Sequence, residues 1–282
     1  MYKIGKNAGK KWMAAVMAAL VTVAAAAVCG KTDKAGAEER KERNSITVAA
    51  SSDTGSMDPA GSIALTYLTY SVSALDELLT FDADGEIDYR AAESYEVNED
   101  STVWTFHLRE EAVWSDGTPV TSADFLNTMT RALDPKSGSG YANYLFPIRN
   151  AEAIYNGEME SGELGVETPD DYTLIFYLEK PCVYFLDLLR LPVYTPSCST
   201  YAKETGSGWD TDPKTSVSNG PFYLAEYVPE QYMTLKKTES YWNADEVSLD
   251  EITYRFFWTV RKQCCMLTKA ERQMRRPDCR PR

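Results

Sequence analysis

Only one histidine, His107, occurs in 282 residues, and that scarcity removes most general-base and imidazole-ligand chemistry at the outset. The sequence contains no Gly-x-Ser-x-Gly elbow, no His-Glu-x-x-His, no Gly-x-Gly-x-x-Gly and no P-loop. Serine hydrolases, zincins, dinucleotide enzymes and nucleotide triphosphatases therefore lack their sequence carriers. No two of the six cysteines have a Cys-x-x-Cys spacing, which leaves a zinc site unsupported. His107 lies in a strand pattern opposite an aromatic stripe, with no nucleophile beside it. Glu99-Asp100 and Asp170-Asp171 read as solvated turn acids, so the expectation is a protein that is not an enzyme and uses no cofactor or metal.

Basic groups are scarce where most of the chain lies. Residues 44–260 carry 12 basic and 36 acidic side chains, a net charge of −24, while residues 1–43 sum to +5 and 261–282 to +6. A body of that charge repels phosphate backbones and anionic headgroups, so nucleic acid is not an expected partner. The apolar fraction of 44% and the aromatic fraction of 12% are those of a globular chain with one large or two modest cores.

Long apolar runs are confined to the start. Lys3, Lys6, Lys10 and Lys11 precede an apolar stretch from Trp12 to Val28 that only Thr22 interrupts, and Cys29-Gly30 follows. This is the layout of an export signal over 1–28, and the stretch is at the short edge for a membrane span. Ala26-Ala27-Val28-Cys29 resembles a bacterial lipobox with Cys29 as the lipid acceptor, although Val28 departs from the small residue expected there; ordinary cleavage after an Ala-x-Ala site is the alternative. Residues 29–44, rich in Lys, Glu, Ala and Gly, read as a tether. The basic segment 261–282 holds three of the six cysteines and shows no periodicity. It reads either as an interaction tail or as a chain that left its reading frame near Phe257-Trp258. Cys182 and Cys198 are the two thiols of the body, a pair that export would allow to join.

Between these ends the pattern alternates strands and helices without a strict βαβ beat, which implies an α/β or α+β fold with a mixed sheet. Ile46–Ala50 is β-prone. Leu65, Leu68, Val72, Leu75 and Leu79 recur every three or four residues and predict a helix over 62–79. Trp104, Phe106 and Leu108 alternate with Thr105 and His107 as in a half-buried strand, and a second strand begins at Val113-Trp114 before the Ser115-Asp116-Gly117-Thr118-Pro119 turn. Thr121 is placed to cap a helix carrying Phe125, Met129 and Leu133, with Asp124 set for the reciprocal bond. Strands over 172–178, 221–228, 231–235 and 249–257 and a short helix over 183–191 complete the reading.

Several blocks in register then carry a resemblance: Leu75 to Gly85, Ala92 to Val97, Trp104 to Arg109, Val113 to Phe125, Tyr141-Ala142-Asn143-Tyr144-Leu145, Asn219 to Leu224 and Tyr241-Trp242-Asn243. Over about 45–257 the chain resembles the family 5 extracellular solute-binding proteins, most of all its oligopeptide-binding members, which serve ABC importers. The resemblance implies a periplasmic-binding-protein-like class II fold in which two lobes close on a solute and hand it to permease subunits in the membrane. It implies that 45–76 and 199–260 form a hinged lobe, that 77–198 is an inserted domain, and that the second lobe is missing. It implies an extracytoplasmic monomer that binds oligopeptides, lipid-anchored if Cys29 is acylated, and in this truncated form binding them weakly or not at all.

Site residues follow only in part. Tyr141 matches a tyrosine that lies against bound peptide, with packing beneath a loop as its other reading; Ala64 and Leu65 fall where the first lobe segment passes the ligand, with helix-core packing as the other role of Leu65. Ser51, Ser52, Asp53 and Thr54 form a cleft-facing loop in that fold, and turn chemistry explains them equally. A surface structural or adhesion lipoprotein is the competing reading, as is a binder of nickel, haem or oligosaccharide.

Overall fold

In the computed structural model the described residues are 44–256, apart from 54, 62–64 and 204–207. The chain enters on strand β1 (Ser45–Ala50), whose short uncharged sequence alternates exposed and half-buried positions. Helix α1 (Leu65–Ala74) follows, then the hairpin β2 (Leu79–Phe81) and β3 (Ile87–Tyr89). Strands β4 (Ala92–Val97) and β5 (Val103–Leu108) lead to helix α2 (Ser122–Leu133) and the one-turn helix α3 (Ala151–Tyr155). After β6 (Val166–Asp170), β7 (Thr173–Tyr177) and the short helix α4 (Phe185–Leu188), the chain returns through β8 (Phe222–Val228), β9 (Tyr232–Lys237) and β10 (Glu251–Phe256).

Two four-stranded sheets result, with orders β1-β10-β9-β8 and β4-β5-β7-β6. The first is mixed, because β1 runs parallel to β10 while the other pairs are antiparallel. The second is antiparallel throughout. Each sheet has its own core. The larger gathers Trp104, Phe106, Phe125, Met129, Phe176 and Phe185 with their neighbours, and it draws Ala60, Leu75 and Val217 in from the flanking segments. The smaller gathers Met57, Tyr70, Leu224, Met233, Leu235, Ile252, Tyr254 and Phe256. In β5 and β10 the buried residues alternate along the strand, as a sheet with one wet face requires.

Three expectations are corrected, and the open question of the two body cysteines is answered. The helix read over 62–79 ends at Ala74, and Leu75 and Leu79 reach the larger core from extended chain and from β2. Its inward face carries Tyr70 and Ala74, while Val72 is 69% exposed. Val113 makes only an isolated bridge to Pro119: Gly117 takes φ +87° and the chain turns back too soon for a second strand. The helix read over 183–191 shrinks to α4, leaving Val183 90% exposed ahead of it. Cys182 and Cys198 are separate, buried free thiols. Phe257, read as the end of the last strand, lies outside the described residues.

Candidate functional site

The loop that follows β1 is held by three aspartates. Asp53 accepts both of its contacts with the Tyr227 hydroxyl, at 2.9 and 2.8 Å, together with the Glu230 amide at 2.7 Å and the Gly55 amide at 3.2 Å. Burial and this carboxylate together push the Tyr227 phenol well above its ordinary range. Asp210, from the returning chain, accepts from the Ser56 hydroxyl and the Met57 amide at 2.6 Å each, and from the Asp58 amide at 3.0 Å. One carboxylate oxygen thus gathers three successive residues.

Asp58 turns inward in its place. Its carboxylate takes both Nη groups of Arg131 in α2, at 2.6 and 2.8 Å, and caps its own turn by accepting the Ala60 amide at 3.0 Å. Arg131 also donates to Ser197 Oγ at 2.9 Å, and its guanidinium lies 5.8 Å from the centre of the Trp209 ring. Asp58 is 1% exposed, Asp210 3% and the Arg131 side chain 7%. A bidentate pair in so dry a place is geometrically strict, and removing either partner leaves an uncompensated charge.

A second polar node lies where the chain leaves the smaller sheet and comes back. Asp76 and Asn219 exchange two bonds, Asp76 N–H to Asn219 Oδ1 and Asn219 Nδ2 to Asp76 O, each 3.0 Å. The Asp76 carboxylate accepts from the Tyr241 hydroxyl at 2.8 Å and the Trp242 indole at 3.0 Å. Burial raises the Asp76 carboxyl above its usual range, against the opposing pull of Arg90. Gly220 donates to Ala74 O at 3.0 Å, and a Cβ there would come within 2.7 to 2.9 Å of the backbone of Ala74 and Leu75. Glycine is required by proximity at this crossing.

Of the residues singled out in the sequence, Ser51, Ser52 and Asp53 belong to the pinned loop, and Ser51 is exposed. Tyr141 sits elsewhere, half-buried on the rim of the larger core with its ring 5.8 Å from that of Tyr144, which is 41% exposed. Cys29, Thr54 and Ala64 lie outside the described residues; Leu65 is the first residue of α1, and its side chain is outside them too. Asp58, Arg131, Asp210, Asp76 and Asn219 were not legible as a set, because 73 and 152 residues separate Asp58 from its two partners.

His107 is half-buried in β5 and borders a pocket of about 460 Å³ with Glu93, Glu110, Asp170, Asp171 and Tyr172. The Tyr172 amide and the Thr173 hydroxyl hold Asp170 below its usual carboxylate range. Among the described residues no group of three His, Cys, Asp or Glu is placed to hold a metal ion. No described helix is long and apolar enough to cross a membrane.

Comparison with known proteins bears on the family and the fold. Residues 86–266 match the bacterial extracellular solute-binding proteins, family 5 Middle. The periplasmic oligopeptide-binding protein OppA of Escherichia coli K12 is 34% identical over 244 residues, which are 86% of this chain and 43% of that protein. The substrate-binding domain of an oligopeptide ABC transporter from Bacillus anthracis superposes with a TM-score of 0.76 at 34% identity, covering 82% of this chain and 44% of that one. Haemophilus influenzae OppA in complex with the peptide RPPGFSPFR gives a TM-score of 0.76 at 29% identity, covering 82% and 45%. The chain spans under half the length of these relatives.

Proposed function

The chain belongs to the family 5 bacterial extracellular solute-binding proteins, and we propose that it is an extracytoplasmic peptide-binding subunit of an ABC importer. The observation that carries this reading is the shared fold, at a TM-score of 0.76, with a family member complexed with a nine-residue peptide. The family is one of binding proteins, and a loop held in place by buried hydrogen bonds suits capture.

In this reading, residues 45–76 and 199–260 form the hinged lobe and 77–198 the inserted domain, each supplied by one of the two cores. The export signal over 1–28 and lipidation at Cys29 would tether the monomer outside the membrane, within reach of permease subunits. Ser51, Ser52, Asp53, Thr54, Ala64, Leu65 and Tyr141 would line the peptide's path. These 282 residues span under half the length of those relatives, and in this reading they supply one wall of the cleft and by themselves hold peptide weakly.

Calorimetric titration of the chain with trialanine and with a mixture of short peptides tests this. Saturable binding with a Kd above about 100 μM is expected. Micromolar peptide binding would refute the single-wall reading. Tighter binding of nickel, haem or maltotriose than of peptide, or no peptide signal at millimolar concentration, would overturn the peptide reading itself.

A further inference from the structure

We infer that Asp210 and the Asp58–Arg131 pair are positioning residues for the loop that follows β1, holding it in one conformation from behind without themselves meeting solvent. Arg131 belongs to α2 on the larger core and Asp210 to the returning chain, yet both act on the same three residues, 56–58. The chain of contacts is continuous. Thr128 Oγ1 and Ser197 Oγ are 2.7 Å apart, Ser197 Oγ accepts from Arg131, Arg131 grips Asp58, and the Asp58 amide donates to Asp210. Asn127 Nδ2 reinforces it by donating to Ser197 Oγ at 3.1 Å and to the Ala202 carbonyl at 2.9 Å.

The brace is directional. Asp210 uses a single oxygen, Oδ2, for all three of its loop donors, so the peptide planes of 56–58 can satisfy it only in a narrow set of orientations. Asp58 could not keep its amide on Asp210 and its carboxylate on Arg131 if the turn rotated. Asp53 fixes the other end of the loop on Tyr227 and the Glu230 amide. A loop fastened at both ends meets its ligand already ordered, and the ordering entropy is lost during folding and not at binding. That consequence for ligand rests on the peptide-binding reading above; the effect on the loop does not.

The test is hydrogen exchange of the full chain, read on fragments covering 55–60 and, as reference, β5 and β7. Asp210→Asn keeps the side-chain shape but replaces the charged oxygen that gathers the three donors by a neutral amide oxygen, or turns an NH2 donor toward them. Roughly tenfold faster exchange at Met57 and Asp58, with β5 and β7 unchanged, is expected. Unchanged exchange in the loop, or acceleration spread equally over both sheets, would overturn the assignment, since a merely structural role predicts the uniform pattern. Should Asp210→Asn fail to fold, Arg131→Lys, which keeps the charge and loses the two-pronged grip, decides on the same readout. Trialanine affinity is measured alongside and is expected to fall about tenfold in the variant that accelerates loop exchange. If the unmodified chain binds no peptide, the peptide-binding reading falls while the exchange pattern still judges the brace.

Discussion

The indole of Trp114 donates to the carboxylate of Asp124 at 3.1 Å, joining two buried residues on either side of a tight turn. The same carboxylate accepts the Thr121 amide at 3.0 Å, the Thr121 hydroxyl at 3.2 Å and the Ser199 amide at 2.8 Å. One side chain therefore starts α2, closes the 115–119 turn beneath it and fastens the returning chain. Asp124→Ala strands those donors, and a loss of about 3 kcal/mol is expected in chemical denaturation. A loss under about 1 kcal/mol would show that water replaces the carboxylate there.

Gly220→Ala drives a methyl group into the backbone of Ala74 and Leu75. Backbone cannot swing aside as a side-chain tip can, so a loss of about 2–3 kcal/mol is expected from the urea midpoint. Gly162→Ala, which meets nothing within 4 Å, is the matched control and should not lower the midpoint, a less flexible unfolded chain raising it slightly.

Glu230 closes the β8–β9 turn at φ +61°, a left-handed conformation that disfavours a side chain. Glu230→Gly relieves this strain and leaves the bond from its amide to Asp53 in place. After the entropy lost by a freer unfolded chain, a gain of about 0.5–1 kcal/mol is expected by thermal unfolding.

The carboxyl of Glu77 is pushed up to about 7 by burial, which outweighs the opposing influence of Arg190; neighbouring Asp76 adds to the rise. The folded chain thus binds a proton near neutrality that the unfolded chain binds only near 4.5. Stability rises as pH falls from 7 toward 4.5, because only the folded state is protonated in that window, and it is lost again as pH climbs through 7. Unfolding midpoints measured across that window should show the slope, and Glu77→Gln should flatten it.

Much of this was legible in the sequence where one physical signal acted alone. β5 announces itself because every second residue faces the core, and α2 because Thr121 and Asp124 bracket its first turn. The misreading of α1 has a clear cause. Leu75 and Leu79 keep the helical spacing, but they are buried by an extended crossing that periodicity cannot tell from a helix. The strands β4 and β6 were invisible because both are sheet edges: polar residues fill them, Pro169 interrupts β6, and bulges shift both registers. At the candidate site, Asp53 read as turn chemistry, and its geometry shows turn contacts as well as a tether to Tyr227. Nothing local marked Arg131 as the partner of Asp58, since a charge on a helix ordinarily faces water.

The parallel pairing of Ser45 with Glu251 has a temporal side. The opening strand has no described neighbour other than one made some two hundred residues later, so at ordinary ribosomal speeds it waits on the order of 10–40 s for its mate. During that interval the smaller sheet cannot close. Topology itself imposes this delay, whatever the order in which the other strands of that sheet come together.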